Sequence, residues 1–200
     1  LIGDLQVTAI AYYGGHTLRA LDNFPITGTP IHIYPGLVKA LACVKQAAAV
    51  TNGELQLLDR VRMDAIVRAC EEIRAGALHE HFVVDVIQGG AGTSTNMNAN
   101  EVIANRGLEL LGHARGEYQH LHPLEHVNMS QSTNDVYPTA VKVALRFEID
   151  NLRAAMKKAG REVKIMADLP GPKLRVGDLP QPMQVATGSL GQGLSAAVGM

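Results

Sequence analysis

Apolar residues recur at helical spacing through most of the chain. Leu37, Leu41, Val44 and Ala48 fall on one face and predict a helix over residues 36–52. Val61, Ala65, Ile66, Ala69 and Ile73 predict a second, ending at Gly76, and the two are expected to pack together. Upstream, residues 1–24 read as irregular, with Gly14 and Gly15 following two tyrosines, and Pro25, Gly28, Pro30 and Pro35 punctuate a loop. Downstream, a short β-branched run at 83–87 precedes the segment QGGAGTSTNMNANE, which opens a predicted helix over 98–111 that stops at Gly112. Residues 113–126 are polar and histidine-rich and read as a loop. SQSTNDVYP then leads into a predicted helix over 139–158, with Pro138 in the position that a first helical turn tolerates.

Composition narrows the fold class. The 200 residues are 46% hydrophobic and 18% charged with a formal net charge of −1, the profile of a globular chain between one and two average domains. Aromatic residues make up 4% and tryptophan is absent, which favours helix-on-helix packing, so the chain is expected to be mainly α. The apolar stretch 37–50 is broken by Lys39 and Lys45, short of the ~20 clean residues of a membrane span, and no charge excess attracts nucleic acid or membrane. Cys43 and Cys70 lie in helix-like runs without metal-ligand spacing and are expected as buried thiols of a reducing compartment. With no secretory pattern at Leu1, the cytoplasm is the expected location. His120, His122 and His126 lack the cysteine or carboxylate spacing of a metal site, and no metal is expected.

The composition changes near residue 160. Four of the nine prolines, seven of the twenty glycines and none of the eight histidines fall in residues 160–200. Residues 1–156 carry 12 basic and 16 acidic side chains, against 6 and 3 in residues 157–200. The expected organisation is a domain over 1–130, a long helix with its polar leader over 131–159, and a tail over 160–200.

Two polar segments carry the candidate chemistry. Gly92, Thr93, Ser94, Thr95 and Asn96 form one, and Ser130, Gln131, Ser132, Thr133 and Asn134 the other. Each precedes or opens a predicted helix. Unpaired N–H groups and the positive end of the dipole, joined by short hydroxyl and amide side chains, suit a carboxylate or phosphate, and two such segments suit a dicarboxylate. The same residue types also cap helices without binding anything.

The stretches AYYGGHTLRALDNFPITG, VDVIQGGAGTSTNMNANEVIANRGLELLG and HVNMSQSTNDVYPTA closely resemble, collinearly over residues 1–156, the aspartases of the aspartase/fumarase superfamily. HTLRA and QGGAGTS are similar to aspartases rather than fumarases. The resemblance implies an N-terminal helical domain and the first long helix of a tetrameric bundle. It further implies reversible removal of ammonia from L-aspartate to give fumarate, without a cofactor. It implies substrate binding by Thr93, Ser132, Thr133 and Asn134. Asn96 would order the first loop, and Arg19 would be a supporting cation or a surface salt-bridge partner. His122 begins HPLEHVN, similar to a family segment HPNDHVN that borders a secondary carboxylate site, with Leu124 in place of the amide.

The family's general base is a serine in a GSSxMPxKxN loop, and no such pattern occurs in these 200 residues, so the catalytic residue is not assigned. Little ammonia-lyase activity is therefore expected of this chain alone. In the tail, VKIMADLPGPKLRVG is similar to a pyruvate kinase segment, with Asp168 and Arg175 at matching places. VATGSLGQGLSAAVGM resembles the transketolase loop that holds thiamine diphosphate, with Gly188, Leu190, Gly191 and Gly193 matching. The tail is expected to be irregular or a small α/β unit, and the alternative functions are a fumarate hydratase-like lyase and a non-catalytic dicarboxylate-binding or composite scaffold chain.

Overall fold

The computed structural model describes residues 6–87 and 91–160. Its helices are α1 (Gly15–Asn23), α2 (Pro35–Glu54), α3 (Arg60–Ala75), α4 (Thr93–Leu110) and α5 (Thr133–Lys158). Single helical turns lie at Ile31–Ile33, His79–His81 and Pro123–Val127. The mainly α expectation holds. Among the described residues β structure is limited to an isolated antiparallel bridge between Pro30 and Asp85. The run at 83–87 does donate and accept there, through Ile31 N–H to the Val84 carbonyl and Val86 N–H to that of Thr29. Pro30 has no N–H to extend the ladder.

The contacts divide the chain into two units, Leu1–Phe147 and Glu148–Met200. In the first, α2 and α3 form an antiparallel-type hairpin pair joined by a short loop and packed along their lengths, and α4 lies against α3 and α1. Asp59 caps α3 by accepting from Arg62 N–H at 3.0 Å, and Gly76, at φ 109°, ends it. The core runs through Val38, Leu41, Ile66, Ile73, Phe82, Val102, Ile103 and Leu108, and α5 adds Val136 and Ala140 to it. Cys70 is fully buried and Cys43 half-buried, both as free thiols. In the second unit the described residues are 148–160, the C-terminal turns of α5, where Leu152 is exposed. No helix of the described residues is long and apolar enough to cross a membrane. The tail motifs at 163–177 and 185–200 lie outside the described residues.

α4 is buried nearly all round, including Asn96, Asn98, Asn100, Glu101 and Asn105. Of these polar side chains, Asn98, Glu101 and Asn105 satisfy backbone groups of the segments around the helix. Asn98 donates to the His81 carbonyl at 2.9 Å and accepts from Val83 N–H at 3.0 Å. Asn105 donates to the Tyr12 carbonyl at 2.7 Å and accepts from Gly116 N–H at 2.8 Å. Buried irregular backbone needs such partners, and an asparagine offers a donor and an acceptor at once.

Three local expectations are corrected. Residues 15–23 are helical rather than irregular, because Glu101 of α4 accepts from the N–H groups of Gly14, His16 and Thr17, a cap supplied 84 or more residues away. α4 begins at Thr93 rather than 98. α5 begins at Thr133 rather than 139, so Pro138 sits inside the helix. Ser132 makes this start: its Oγ accepts from Asn134 N–H at 3.2 Å and its carbonyl from Asp135 and Val136 N–H. Within the expected loop at 113–126 the chain forms the π-helical turn Pro123–Val127, capped by His122.

Candidate functional site

The N-terminal turns of α4 and α5 meet. Asn96 Nδ2 on α4 donates to Thr133 Oγ1 on α5 at 3.2 Å and to Asn128 Oδ1 at 3.1 Å. Gly92, at φ 85°, precedes α4, and the Tyr137 ring of α5 occupies the space that a Cβ at Gly92 would need. Glycine thus serves there both for its left-handed backbone and for close approach of the two segments.

Of the residues read from the sequence, Thr93, Ser132 and Asn134 are exposed and Thr133 is half-buried; Thr133 Oγ1 accepts from Asn96 and Ser132 Oγ from Asn134 N–H. No hydrogen bond joins Thr93 to Asn134 among the described residues. Arg19 is exposed on α1 and makes no salt bridge among the described residues. His122 is at a different place. Its Nδ1 accepts from Leu124 and Glu125 N–H at 3.1 and 3.2 Å, its own N–H donates to His126 Nδ1 at 2.7 Å, and its ring meets Tyr118 edge-on. Burial depresses the basicity of His126, consistent with that neutral acceptor nitrogen.

Beneath the two segments lies a polar cluster that the sequence reading missed. Lys45 of α2 is completely buried, and its ammonium donates to Asn128 Oδ1 at 2.8 Å and Gln131 Oε1 at 2.9 Å. Asn128 Oδ1 also accepts from Asn100 Nδ2 at 3.2 Å, and Asn128 Nδ2 donates to the Gln131 carbonyl at 3.1 Å. Gln131 Nε2 closes the turn onto the carbonyls of Val127 and Met129. Burial lowers Lys45 to about 7, opposed weakly by the Cys70 thiol, which burial itself drives upward. A signal was present in the sequence: Lys45 stands four residues from both Leu41 and Ala49, on the face that α2 buries. The side-chain amide oxygens (Oδ1) of Asn96 and Asn100 have no hydrogen-bond partner among the described residues. Buried acceptors of this kind are ordinarily met by ordered water.

A cavity of about 950 Å³ lies elsewhere, lined by His16, Glu101, Glu109, Arg115, Tyr118 and His122 among others. Its charged groups are already paired. Glu109 accepts from Tyr12, Arg106 and Arg115 at 2.7, 2.9 and 2.8 Å, and Arg106 also holds Glu72 at 2.6 Å. Burial acts to raise Glu109, but these three donors prevail and hold it below the ordinary carboxylate range. Thr93, Asn96 and residues 132–134 do not line this cavity. No cluster of three or more metal-ligating side chains occurs among the described residues.

The profile of a lyase family matches residues 3–165. The chain belongs to this lyase family. It is 58% identical over 156 residues to the aspartate ammonia-lyase of Pseudomonas canavaninivorans, covering 78% of this chain and 33% of that one. It is 53% identical over 156 residues to that of Bacillus subtilis, covering 78% and 32%. The chain spans about a third of the length of the curated relatives it matches. Among solved structures, the fumarate lyase:delta crystallin of Brucella melitensis in native form superposes with a TM-score of 0.76 at 54% identity, covering 78% of this chain and 35% of that one. The class II fumarase of Schistosoma mansoni superposes at 0.67 with 38% identity, covering 72% and 30%. The relatives support the aspartase/fumarase reading of the motifs and the aspartase-type helical fold.

Proposed function

We propose that the chain carries the dicarboxylate-binding donors of an aspartase-type carbon–nitrogen lyase, which reversibly eliminates ammonia from L-aspartate to give fumarate. The observation behind this is the hydrogen bond from Asn96 to Thr133, which joins the two helix N-termini whose residues match the family's substrate segments. The higher identity to aspartate ammonia-lyases than to the fumarase favours aspartase over fumarate hydratase.

The elimination removes a proton from the carbon beside the β-carboxylate, and two negative charges then develop on that carboxylate. Preorganised donors without competing negative charge stabilise such a build-up. In this reading Thr93 donates from α4, Ser132 from just before α5, and Thr133 and Asn134 from its first turn. Asn96 fixes their spacing. Arg19 and His122 would act from outside the donor set. The proton acceptor is not among the residues assigned here, and the active assembly is a cytoplasmic homotetramer that needs no cofactor. Residues 1–130, 131–159 and 160–200 act as its domain, bundle helix and tail, the last joined from sequence similar to pyruvate kinase and transketolase.

Thermal unfolding with fumarate tests the reading. A ligand that binds the folded chain at about one hundred times its Kd stabilises it by about 2.7 kcal/mol, which raises Tm by several degrees. Thr93→Ala and Asn134→Ala should remove that rise while leaving the ligand-free Tm close to wild type. No rise at saturating fumarate overturns the reading. Ultraviolet absorbance of fumarate, followed with aspartate, should show little turnover by this chain alone.

A further inference from the structure

We propose that Lys45 is a positioning residue for the substrate segment: from α2, its buried ammonium grips Asn128 and Gln131 and holds the turn that delivers residues 132–134 to the start of α4. This extends the proposed dicarboxylate site and rests on that reading for its effect on ligand.

The geometry is a relay of short hydrogen bonds. Lys45 Nζ reaches Asn128 Oδ1 at 2.8 Å, the same oxygen accepts from Asn96 Nδ2 at 3.1 Å, and that amide reaches Thr133 Oγ1 at 3.2 Å. A second arm runs from Nζ to Gln131 Oε1 at 2.9 Å, immediately before Ser132. Lys45 therefore fixes the turn on both sides of Ser130, a non-glycine residue at φ 60°, a conformation that surrounding contacts must sustain. Ammonium donors make stronger hydrogen bonds than neutral ones, and a buried cation held by two amide oxygens has few other places to go.

No carboxylate lies within ion-pairing distance of Lys45 among the described residues. Asn128 and Gln131 from the turn, and Asn96 and Asn100 from α4, are neutral amides. Glu101, next along α4, is engaged by the start of α1. The titratable group acting on Lys45 from α3 is the Cys70 thiol, which burial keeps protonated. A cation left without a counter-charge below two segments rich in anion-binding donors also favours an anion above them. Its lowered basicity puts the loss of that charge near neutral pH.

The test uses the full 200-residue chain and Lys45→Met, Lys45→Arg and Gln131→Met. Hydrogen exchange at Asp135 and Val136, whose N–H groups bond the Ser132 carbonyl, should quicken about tenfold in Lys45→Met, with α3 unchanged as internal reference. Lys45→Arg should restore most of the protection, and Gln131→Met, which keeps the lysine, should lose part of it. Calorimetric binding of fumarate should weaken about tenfold from about pH 6 to about pH 9 in wild type, and this pH dependence should be smaller in Lys45→Met. Unchanged exchange at 135–136 in both Met variants, or equal acceleration throughout α3, overturns the positioning role. If fumarate fails to bind wild type while exchange responds as described, the dicarboxylate reading falls and the positioning of the turn stands.

Discussion

Replacing Glu101 with glutamine tests how far one remote side chain sustains α1. Glu101 is 1% exposed. Its Oε2 accepts from Gly14 N–H at 2.8 Å, Thr17 N–H at 3.1 Å and Thr17 Oγ1 at 2.7 Å, and its Oε1 from His16 N–H at 2.9 Å. α1 has no side-chain cap of its own at Gly14. A glutamine can place its oxygen where three of these donors converge, but its NH₂ group then faces the His16 N–H. The three retained bonds lose their charge assistance, about 1 kcal/mol each, and the fourth becomes a donor opposed to a donor, costing about 1–3 kcal/mol. The easier desolvation of a neutral amide offsets part of this. A net loss of about 2–4 kcal/mol remains, a large share of an ordinary stability of about 5–15 kcal/mol. Urea unfolding followed by circular dichroism should show a midpoint lower by about 1–2 M with m unchanged. Hydrogen exchange should show the amides of α1 opening first. A loss below about 0.5 kcal/mol with α1 exchange unchanged would refute the capping role.

Other perturbations probe the packing and charges of the same unit. Gly92→Ala imposes a Cβ on a φ of 85° and on the Tyr137 ring, and should lower stability by about 1–3 kcal/mol in urea titration; Tyr137→Ala in the same chain should recover part of the loss by opening the space. Asp85 is buried, which alone would raise its pKa, but N–H groups of Ile87, Thr27 and Gly28 and the Thr27 hydroxyl bring it to about 2. Because the folded pKa lies below the unfolded one, the stability it contributes is present above about pH 4 and is lost as pH falls toward 2, and Asp85→Asn should flatten that part of an acid-denaturation curve. Lys45 has the opposite profile. The unfolded chain keeps its proton up to an ordinary pKa of 10.5 while the folded chain sheds it near 7, so stability should rise with pH across that window and Lys45→Met should remove the rise.

Much of the architecture was legible because it rests on local periodicity. The apolar spacing of α2 and α3, and the glycine that ends α3, can be read from neighbours three and four residues apart, and both helices formed within about two residues of their predicted ends. The motif-bearing segments were equally visible as polar leaders of helices. The starts of α1, α4 and α5 were harder to read. α1 depends on Glu101, whose distance along the chain leaves no local trace, and α5 begins before a proline that ordinarily marks a first turn.

The division in the candidate site has the same origin. The residue types alone mark two segments able to donate to an anion, and the family resemblance names Thr93, Ser132, Thr133 and Asn134 as the proposed donors. Only the tertiary structure decided that Asn96 meets Thr133, that Asn98 and Asn105 are spent on loop backbone, and that Lys45 lies underneath. A lysine interrupting an apolar helix reads as a surface residue when seen one residue at a time. Its burial is set by partners from a turn more than 80 residues away, and the satisfaction of a buried charge is a property of the folded arrangement.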